Sequence, residues 1–275
     1  MLAISVVVSS YNYADYVGEA IDSALTQTYP GVQVVVVDDG STDGSVEIIR
    51  SYGDTIETLF QANAGQAAAW NSGLAAVRGD YVIFLDSDDR LLPHAASAVA
   101  ARAQSGRPSK VHWRMRLIGP AGQRLDIEQP DGQLPSGWRL DTVIGTGIDP
   151  GPNMPSSGNA WSAAFLSEIF PIPEAPFRVA ADTYLLGLSP LFGATAAIEQ
   201  VCSEYRSHFR NSGGVGSASQ RAADILARSD LTFRAVAARL MRLGIDVDPS
   251  CWRSVNPTYR RYATLAHCGP TVTNA

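Results

Sequence analysis

The chain has 275 residues, of which 45% are hydrophobic, and a formal net charge of -6. A chain of this length and composition can bury a sizeable core, which excludes a disordered protein and allows one large domain or one domain with an appendage. Lys110 is the only lysine, and the arginines are spread along the sequence, so broad, unspecific binding to nucleic acid is not expected.

Membrane and redox signals are weak throughout the sequence. No apolar run approaches the ~20 residues of a membrane-spanning helix, and the apolar residues 4–8 are too few for a signal peptide. The three cysteines, Cys202, Cys251 and Cys268, show no CxxC spacing, which disfavours a disulfide framework or a zinc site. We therefore expect a soluble cytoplasmic protein.

The first half of the chain alternates strand and helix signals. Runs such as VQVVVV are typical of strands that are buried on both faces, as in a parallel sheet covered by helices. The predicted fold class is therefore α/β, with a Rossmann-like, mostly parallel central sheet flanked by helices. Strands are predicted at residues 3–9, 33–38, 55–61 and 81–86, and helices at residues 17–26, 45–52 and 65–77.

Polar clusters follow three of these strands. They are SSYN at residues 9–12, DDGS at residues 38–41 and DSDD at residues 86–89. Ligands bind at the carboxyl ends of the strands in such sheets, so the convergence of the clusters predicts a site, although each alone would be an ordinary turn. The crowded carboxylates of DSDD favour a bound cation such as Mg²⁺ or Mn²⁺, and a solvated acidic turn is the alternative.

The second half of the chain is less regular. The segment VHWRMRLI and the following GPAGQRLD predict a hairpin from residue 111. The Gly- and Pro-rich residues 129–157 indicate long loops over the site. A helix is predicted to start near residues 158–162 and an apolar helix to span residues 184–192, whereas the tail, residues 246–275, is predicted to be irregular.

An amphipathic helical segment occupies residues 220–243. The simplest interpretation is a C-terminal helical extension that packs on the domain. A second hypothesis is peripheral contact with the inner face of an anionic membrane, where basic amphipathic helices can lie. The polar surface of the segment carries Arg221, Arg228, Arg234, Arg239 and Arg242.

The motifs VVVSSYN, VVVVDDGSTDGS and NAGQAAAWNSGLAAVRGDYVIFLDSDD occur in this order along the chain. Together they resemble the N-terminal half of glycosyltransferase family 2, whose members are inverting nucleotide-sugar transferases with a GT-A fold. The resemblance covers residues 4–93 closely and extends loosely to residue 211. It implies a donor-binding half at residues 1–110, an acceptor-binding half at residues 111–215 and a helical extension at residues 216–275.

The resemblance also assigns residues to the nucleotide-sugar donor. Tyr11 would stack on the base, where an aromatic face contributes about 1 to 3 kcal/mol in nucleic-acid systems, and Asp39 would accept a hydrogen bond from the base. The alternatives are packing beneath the first loop for Tyr11 and a helix cap for Asp39. The full donor-binding set is Ser9, Tyr11, Asn12, Asp39, Asn63, Gln66, Asp86, Ser87 and Arg210.

The DxD pattern of the family corresponds here to Asp86, Ser87 and Asp88. By the resemblance, Asp86 would contact the ribose or a metal-bound water. Asp88 would ligate the Mn²⁺ or Mg²⁺ that bridges the diphosphate oxygens. The sequence leaves open whether Asp89 is the closer metal ligand or the N-cap of the segment that follows.

A second part of the expected metal site comes late in the chain. The motif EYRSHFRNSGG resembles a short motif of the family. It implies that His208 is a metal ligand or a diphosphate contact, with Arg206 and Arg210 close enough in sequence to neutralise phosphates. The alternative is a structural histidine. The glycine-rich residues 213–216 are predicted to close over bound nucleotide.

Inverting transfer requires a base for the acceptor hydroxyl. The family places an Asp or Glu before an acceptor-side helix, and Asp182 in FRVAADTYLLGLSPLFG matches that position. The family often has a Glu before this Asp, whereas this chain has Ala181. An N-cap is the alternative role for Asp182.

The predicted function is metal-assisted transfer of one sugar from a nucleotide donor, most simply a UDP-sugar, to a saccharide or lipid-linked acceptor in bacterial polysaccharide or glycolipid synthesis. Processive members of the family carry a QxxRW signature, which this sequence lacks. A phosphatase of the haloacid-dehalogenase type also has a strand ending in DxD, but the residues after it differ here. The sequence also leaves open a non-catalytic nucleotide-sugar binding module and a nucleotidyltransferase.

Overall fold

The computed structural model describes residues 1–208 and 217–267. Within them, one sheet forms the centre of the molecule. The strands are β1 Ile4–Ser10, β2 Gln33–Asp38, β3 Glu57–Phe60, β4 Tyr81–Asp86, β5 Arg90–Leu91, β6 Lys110–Ile118, β7 Arg124–Gln129, β8 Asn159–Ser162 and β9 Thr195–Arg206. The α-helices are α1 Val17–Leu25, α2 Ser45–Ser51, α3 Gln66–Ala76, α4 Ala95–Gln104, α5 Leu140–Thr146, α6 Ala163–Ile169, α7 Asp182–Leu188, α8 Ala218–Arg242, α9 Trp252–Val255 and α10 Pro257–His267.

The strand order in the sheet is β3-β2-β1-β4-β8-β6-β9-β5, and β7 pairs with β6. The neighbours β3, β2, β1 and β4 are parallel, whereas β8 runs antiparallel between β4 and β6. Ser10 lies opposite Asp38, and Ser9 lies opposite Asp86, so the polar clusters of the first half end at one edge. The α/β prediction is confirmed, with parallel neighbours in the first half and, in the second, antiparallel pairs together with the parallel pair β6 and β9.

Apolar side chains cover both faces of the parallel strands. Val6 and Val8 of β1 pack in a buried cluster with Ile21 of α1, while Val7 belongs to a second cluster with Trp70 of α3. Successive residues of a strand point to opposite faces, so each face needs its own layer of helices. The valine runs of the sequence therefore follow from the central position of β1 and β2.

The structure corrects two helix boundaries in the second half. The helix predicted to start near residues 158–162 starts at Ala163, with Ser162 as its N-cap, because residues 159–162 form β8 between β4 and β6. The apolar helix predicted at residues 184–192 is α7, which ends at Leu188 and is followed by a 3-10 turn.

The prediction of an irregular tail from residue 246 is wrong as far as residue 267, because α9 and α10 lie there. Trp252 is 1% exposed. Its ring meets Phe233 edge-on at a centroid distance of 5.6 Å, and its Nε1 donates to the carbonyl of Ile144 at 2.9 Å. A buried tryptophan therefore fixes this segment on α8 and α5. Residues 268–275 lie outside the described part of the chain.

The amphipathic segment is one long helix, α8, which packs on the domain as the simplest interpretation predicts. Phe233 and Leu240 of α8 are buried in the same cluster as Val7. The guanidinium carbon Cζ of Arg239 lies 4.3 Å from the Phe192 ring centroid, and its Nη1 lies 3.6 Å from Glu168 Oε2. In the described ranges, no helix is both long enough and apolar enough to cross a membrane.

Candidate active site

The site lies where the loops after β1, β2 and β4 meet at the carboxyl edge of the sheet. Asn12 joins the first loop to the second: its backbone N–H donates to Ser41 Oγ at 2.9 Å, and its Oδ1 accepts from Thr42 N at 2.7 Å. Asn12 has a φ of 58°, a conformation that asparagine tolerates better than most residues. Asn12 therefore shapes the rim of the site, and a donor contact by its side chain stays a prediction.

Asp39 organises the loop before α3. Its Oδ1 accepts hydrogen bonds from Gln61 Nε2 at 2.7 Å and Ala64 N at 2.9 Å, and its Oδ2 accepts one from Gly65 N at 2.7 Å. The helix-cap alternative for Asp39 is wrong, because these bonds run to a different loop and α2 has no side-chain cap.

Tyr11 is 45% exposed, which contradicts packing beneath the loop. Base contacts by Tyr11 and Asp39 stay predictions.

The loop that leads into α7 rests on the start of α3. Gln66 N donates to the carbonyl of Arg178 at 2.8 Å, and Arg178 Nη2 donates to Asn63 Oδ1 at 2.5 Å. Gly65 has a φ of 97°, and a Cβ at this position would lie 2.7 Å from Arg178 Cα. Only glycine permits both this positive φ and the close approach of the Arg178 backbone. This backbone contact positions Asp182, which begins α7.

Gln66 connects the two acidic parts of the site. Its Nε2 donates to Asp86 Oδ1 at 3.0 Å, and its Oε1 accepts from Ala181 N at 2.9 Å. The sequence predicts a donor contact for Gln66, whereas the structure shows both ends of the amide bound within the protein. Gln66 thereby holds the DSDD turn and the start of α7 at a fixed separation.

The turn after β4 crowds buried carboxyl groups together. Burial, with repulsion from Asp88 and Asp182, raises the pKa of Asp86 to about 8. Burial also raises the pKa of Asp88, while its hydrogen bond with His208 acts in the opposite direction. Ser87 between them is 3% exposed. Carboxyl groups held this close favour the binding of a cation.

Asp89 and Arg206 hold the acidic turn against β9. Asp89 Oδ1 accepts from Arg206 N at 2.8 Å, and the segment after Asp89 is β5, so the N-cap alternative for Asp89 is wrong. Arg206 is fully buried. Its Nε donates to the carbonyl of Asp88 at 2.8 Å, and its Nη2 pairs with Glu19 Oε2 at 2.6 Å. The prediction that Arg206 neutralises phosphate is therefore wrong, because these contacts engage its donors.

His208 lies directly beside the acidic turn. Its Nε2 is 3.0 Å from Asp88 Oδ2. The imidazole stacks on Tyr16 at a centroid distance of 5.2 Å and meets Tyr13 edge-on at 5.7 Å. The structure thus brings the two predicted metal ligands together and fixes the imidazole with two tyrosines. The sequence analysis does not predict these tyrosines as site residues. They lie in SSYNYADY, and nothing in that segment indicates contact with a histidine that follows β9, almost 200 residues later.

Asp88 and His208 offer a carboxylate oxygen and an imidazole nitrogen, ligand types that a divalent cation such as Mn²⁺ accepts. In this structure a hydrogen bond of 3.0 Å joins Asp88 Oδ2 and His208 Nε2, and a bound cation would replace it. Within residues 1–208 and 217–267, no group of three or more His, Cys, Asp or Glu side chains is arranged to hold a metal. Divalent cations such as Mg²⁺ usually complete their coordination with water and substrate phosphates.

Two predicted elements of the donor site cannot be placed. Arg210 and the glycine-rich residues 213–216 lie outside the described residues. Ser9, by contrast, lies opposite Asp86 in the sheet, and its Oγ accepts a long hydrogen bond from Trp70 Nε1 at 3.4 Å. A donor contact by Ser9 or Ser87 stays a prediction.

Asp182 is the first residue of α7, and Ala181 occupies the N-cap position without a side-chain bond. The N-cap alternative for Asp182 is therefore wrong. Burial raises the pKa of Asp182 to about 6, while the backbone N–H of Thr183 and the charge of Arg228 act in the opposite direction. The sequence assigns Arg228 only to the polar surface of α8, because no local motif connects it with Asp182.

Parallel strands whose carboxyl ends carry loops and an acidic turn define an α/β protein with a ligand-binding crevice at that edge of the sheet. The chain belongs to glycosyltransferase family 2. The model of that family, described as glycosyl transferase family 2, matches residues 5–133. The uncharacterized glycosyltransferase alr2836 of Nostoc sp. is 31% identical over 266 residues, which are 94% of this chain and 82% of that protein. The uncharacterized glycosyltransferase YibD of Escherichia coli is 39% identical over 93 residues, 33% of this chain and 27% of that protein.

Solved structures show the same fold. Residues 1–349 of Staphylococcus aureus TarS in complex with UDP-GlcNAc match with a TM-score of 0.62 at 18% identity, over 95% of this chain and 79% of that one. The mannosyltransferase PcManGT of Pyrobaculum calidifontis, in complex with GDP-Man and Mn²⁺, matches with a TM-score of 0.55 at 16% identity. The match covers 96% of this chain and 82% of that one. The fold is that of the GT-A glycosyltransferases, as the sequence predicts.

Proposed function

We propose that this glycosyltransferase moves one sugar, with inversion, from a nucleoside-diphosphate donor to a hydroxyl group of a saccharide or lipid-linked acceptor. The supporting observation is that Gln66 ties Asp86, in the turn that carries Asp88, to the start of α7, where Asp182 lies. Residues 1–110 would hold the donor and residues 111–215 the acceptor. Synthesis of a bacterial polysaccharide or glycolipid is the setting that suits such a reaction.

Asp182 is the proposed general base. A carboxyl group whose pKa burial raises to about 6 is mostly ionised at neutral pH and is more basic than an exposed carboxylate. It accepts the proton of the acceptor hydroxyl as the oxygen attacks the anomeric carbon. Attack on the face opposite the departing diphosphate inverts the configuration at that carbon.

The acidic turn is the proposed diphosphate end of the donor site. Asp88 and His208 would hold Mn²⁺ or Mg²⁺, which supplies positive charge to the leaving diphosphate when it is bound. Tyr11 and Asp39 would contact the base, with Ser9, Asn12, Asn63, Asp86, Ser87 and Arg210 as further donor contacts. TarS was solved with UDP-GlcNAc and PcManGT with GDP-Man and Mn²⁺, which supports a nucleotide-sugar donor and a divalent metal here. A UDP-sugar is the donor to test first.

Family membership removes the phosphatase and nucleotidyltransferase alternatives. A non-catalytic binding module is separated from an enzyme by Asp182→Asn, which removes the base and keeps the size of the side chain. We expect turnover of the UDP-sugar, measured as release of UDP in the presence of Mn²⁺, to fall by at least about 10² while donor affinity stays nearly unchanged. Unchanged turnover in Asp182→Asn would place the base elsewhere. An unmodified protein that binds donors but never releases UDP would be a binding module.

A further inference from the structure

Arg228 of α8 is half-buried, and burial lowers its pKa. Within residues 1–208 and 217–267, no hydrogen bond or ion pair engages its guanidinium group. The nearest acidic residue on the same helix face, Asp224, instead accepts a hydrogen bond from Gln220 Nε2 at 3.0 Å. Arg228 therefore carries several partly desolvated N–H donors with no acceptor in the described chain.

The packing of α7 on α8 places Arg228 at the acceptor side of the site. Gly187 of α7 and Thr232 of α8 meet so closely that a Cβ on Gly187 would collide with the Thr232 side chain. Later in both segments, Arg239 of α8 lies over the ring of Phe192, which follows α7, so the two helices run in the same direction. Arg228 lies one turn before Thr232, and Thr183, the neighbour of Asp182, lies one turn before Gly187. In agreement with this placement, the charges of Asp224 and, to a smaller extent, Asp182 favour the charged form of Arg228, and the charge of Arg228 favours the ionised form of Asp182.

The guanidinium group of Arg228 is available to a ligand, because no acceptor of the described chain engages it and the side chain is only half-buried. The planar fork of arginine matches the two oxygens of a carboxylate or phosphate group. The donor diphosphate has its own proposed partners at Asp88 and His208, which lie 3.0 Å apart in the turn after β4 and at the end of β9. Asp182, in contrast, is the proposed base for the acceptor hydroxyl.

We propose that Arg228 binds an anionic group of the acceptor, either phosphate or carboxylate, close to the hydroxyl that receives the sugar. This inference rests on the proposed function, because it takes Asp182 as the base for that hydroxyl. It narrows the acceptors to anionic polyols and saccharides, such as polyol phosphates, sugar phosphates and uronic acids. Arg228 would be a specificity-determining residue, and a neutral acceptor of the same shape would bind more weakly.

The test is thermal-shift titration of the full chain saturated with UDP and Mn²⁺. sn-Glycerol 3-phosphate and D-glycerate serve as phosphate and carboxylate probes, glycerol serves as the uncharged match, and ionic strength is held constant. We expect at least one anionic probe, and not glycerol, to raise Tm further. In Arg228→Gln the apparent affinity for that probe should fall about 10- to 100-fold, the range for hydrogen bonds to charged groups. Arg228→Lys should retain part of the affinity for the anionic probe.

The matched control is Arg234→Gln, an exposed arginine on the same helix, which should respond like the unmodified protein. The inference is overturned if neither anion raises Tm beyond UDP and Mn²⁺, or if Arg228→Gln responds as the unmodified protein does. It is also overturned if Arg228→Gln loses the response to UDP itself, because Arg228 would then serve the donor. Failure of the proposed function looks different: no nucleoside diphosphate would raise Tm at all.

Discussion

Asp182 owes its suitability as a base to its surroundings. Burial is the largest effect on its carboxyl group and raises the pKa to about 6, while the backbone N–H of Thr183 and the charge of Arg228 keep the shift from being larger. The neighbouring Asp86, with its pKa raised to about 8, shows the same effect more strongly. The proposed proton acceptor for the hydroxyl and a crowded acidic turn therefore share one site.

The pH dependence of turnover follows from this pKa. The base works in its ionised form, so log kcat/KM should rise with pH below about 6 and become flat above it. The measurement is UDP release between pH 5 and 8 with saturating Mn²⁺. The pH profile of Asp182→Glu should keep the rise of log kcat/KM at acidic pH, displaced along the pH axis. A rate that is independent of pH through this range would contradict the role of Asp182.

Gln66 is predicted to act by positioning. Gln66→Ala removes the bonds to Asp86 and to the backbone of Ala181, which releases the start of α7 from the acidic turn. A misplacement of about 1 Å can cost about 10²-fold in rate, so we expect kcat to fall by about 10- to 100-fold with little change in the KM of the donor. Steady-state kinetics check this. A raised KM with unchanged kcat would instead make Gln66 a donor contact, as the sequence suggests.

At the scale of elements, the junction of α3 with the loop before α7 decides whether the site assembles. Its backbone contact depends on Gly65, where a side chain would meet both Arg178 Cα at 2.7 Å and the carbonyl oxygen of Arg178 at 2.8 Å. Such contacts join parts of the chain that are far apart in sequence. The turn before α7 therefore has one allowed position relative to the sheet.

Gly65→Ala should lower the free energy of unfolding by about 1 to 3 kcal/mol, because overpacking adds to the strain of a positive φ. Gly106→Ala is the matched control: Gly106 has nearly the same φ, 94°, but a Cβ there would have no heavy atom within 4 Å. Urea unfolding of both variants separates the clash from the strain. Equal losses in the two variants would show that the contact with Arg178 is unimportant.

Local sequence patterns predicted the elements that such patterns control. The valine runs of β1 and β2 and the acidic turn after β4 were placed correctly, because burial on both faces and turn chemistry are local signals. The strand β8, only Asn159–Ser162 long, and the helices after residue 246 were missed. Their formation depends on partners elsewhere, namely β4 and β6 for β8 and α5 and α8 for Trp252.

At the scale of the whole molecule, one sheet carries both halves of the site. The parallel strands β1, β2 and β4 bring the proposed donor loops to one edge, and β9 brings His208 to Asp88 from the second half. The family motifs indicate both proposed metal ligands, but not that they lie side by side. It also could not show that Arg206 is buried or that Arg228 lies near Asp182. Those facts depend on packing between distant segments.

The most direct test of the central claim is a thermal-shift titration with UDP, GDP, CDP and TDP, each with Mn²⁺ and again with EDTA. A ligand that binds the folded state alone raises Tm by mass action. We predict a shift that is confined to one nucleoside diphosphate, requires the metal and is lost in Asp88→Asn, while exposed Asp54→Asn retains it. No shift with any of them, or an equal shift in EDTA and in Asp88→Asn, would contradict a metal-assisted nucleotide-sugar site at Asp88 and His208.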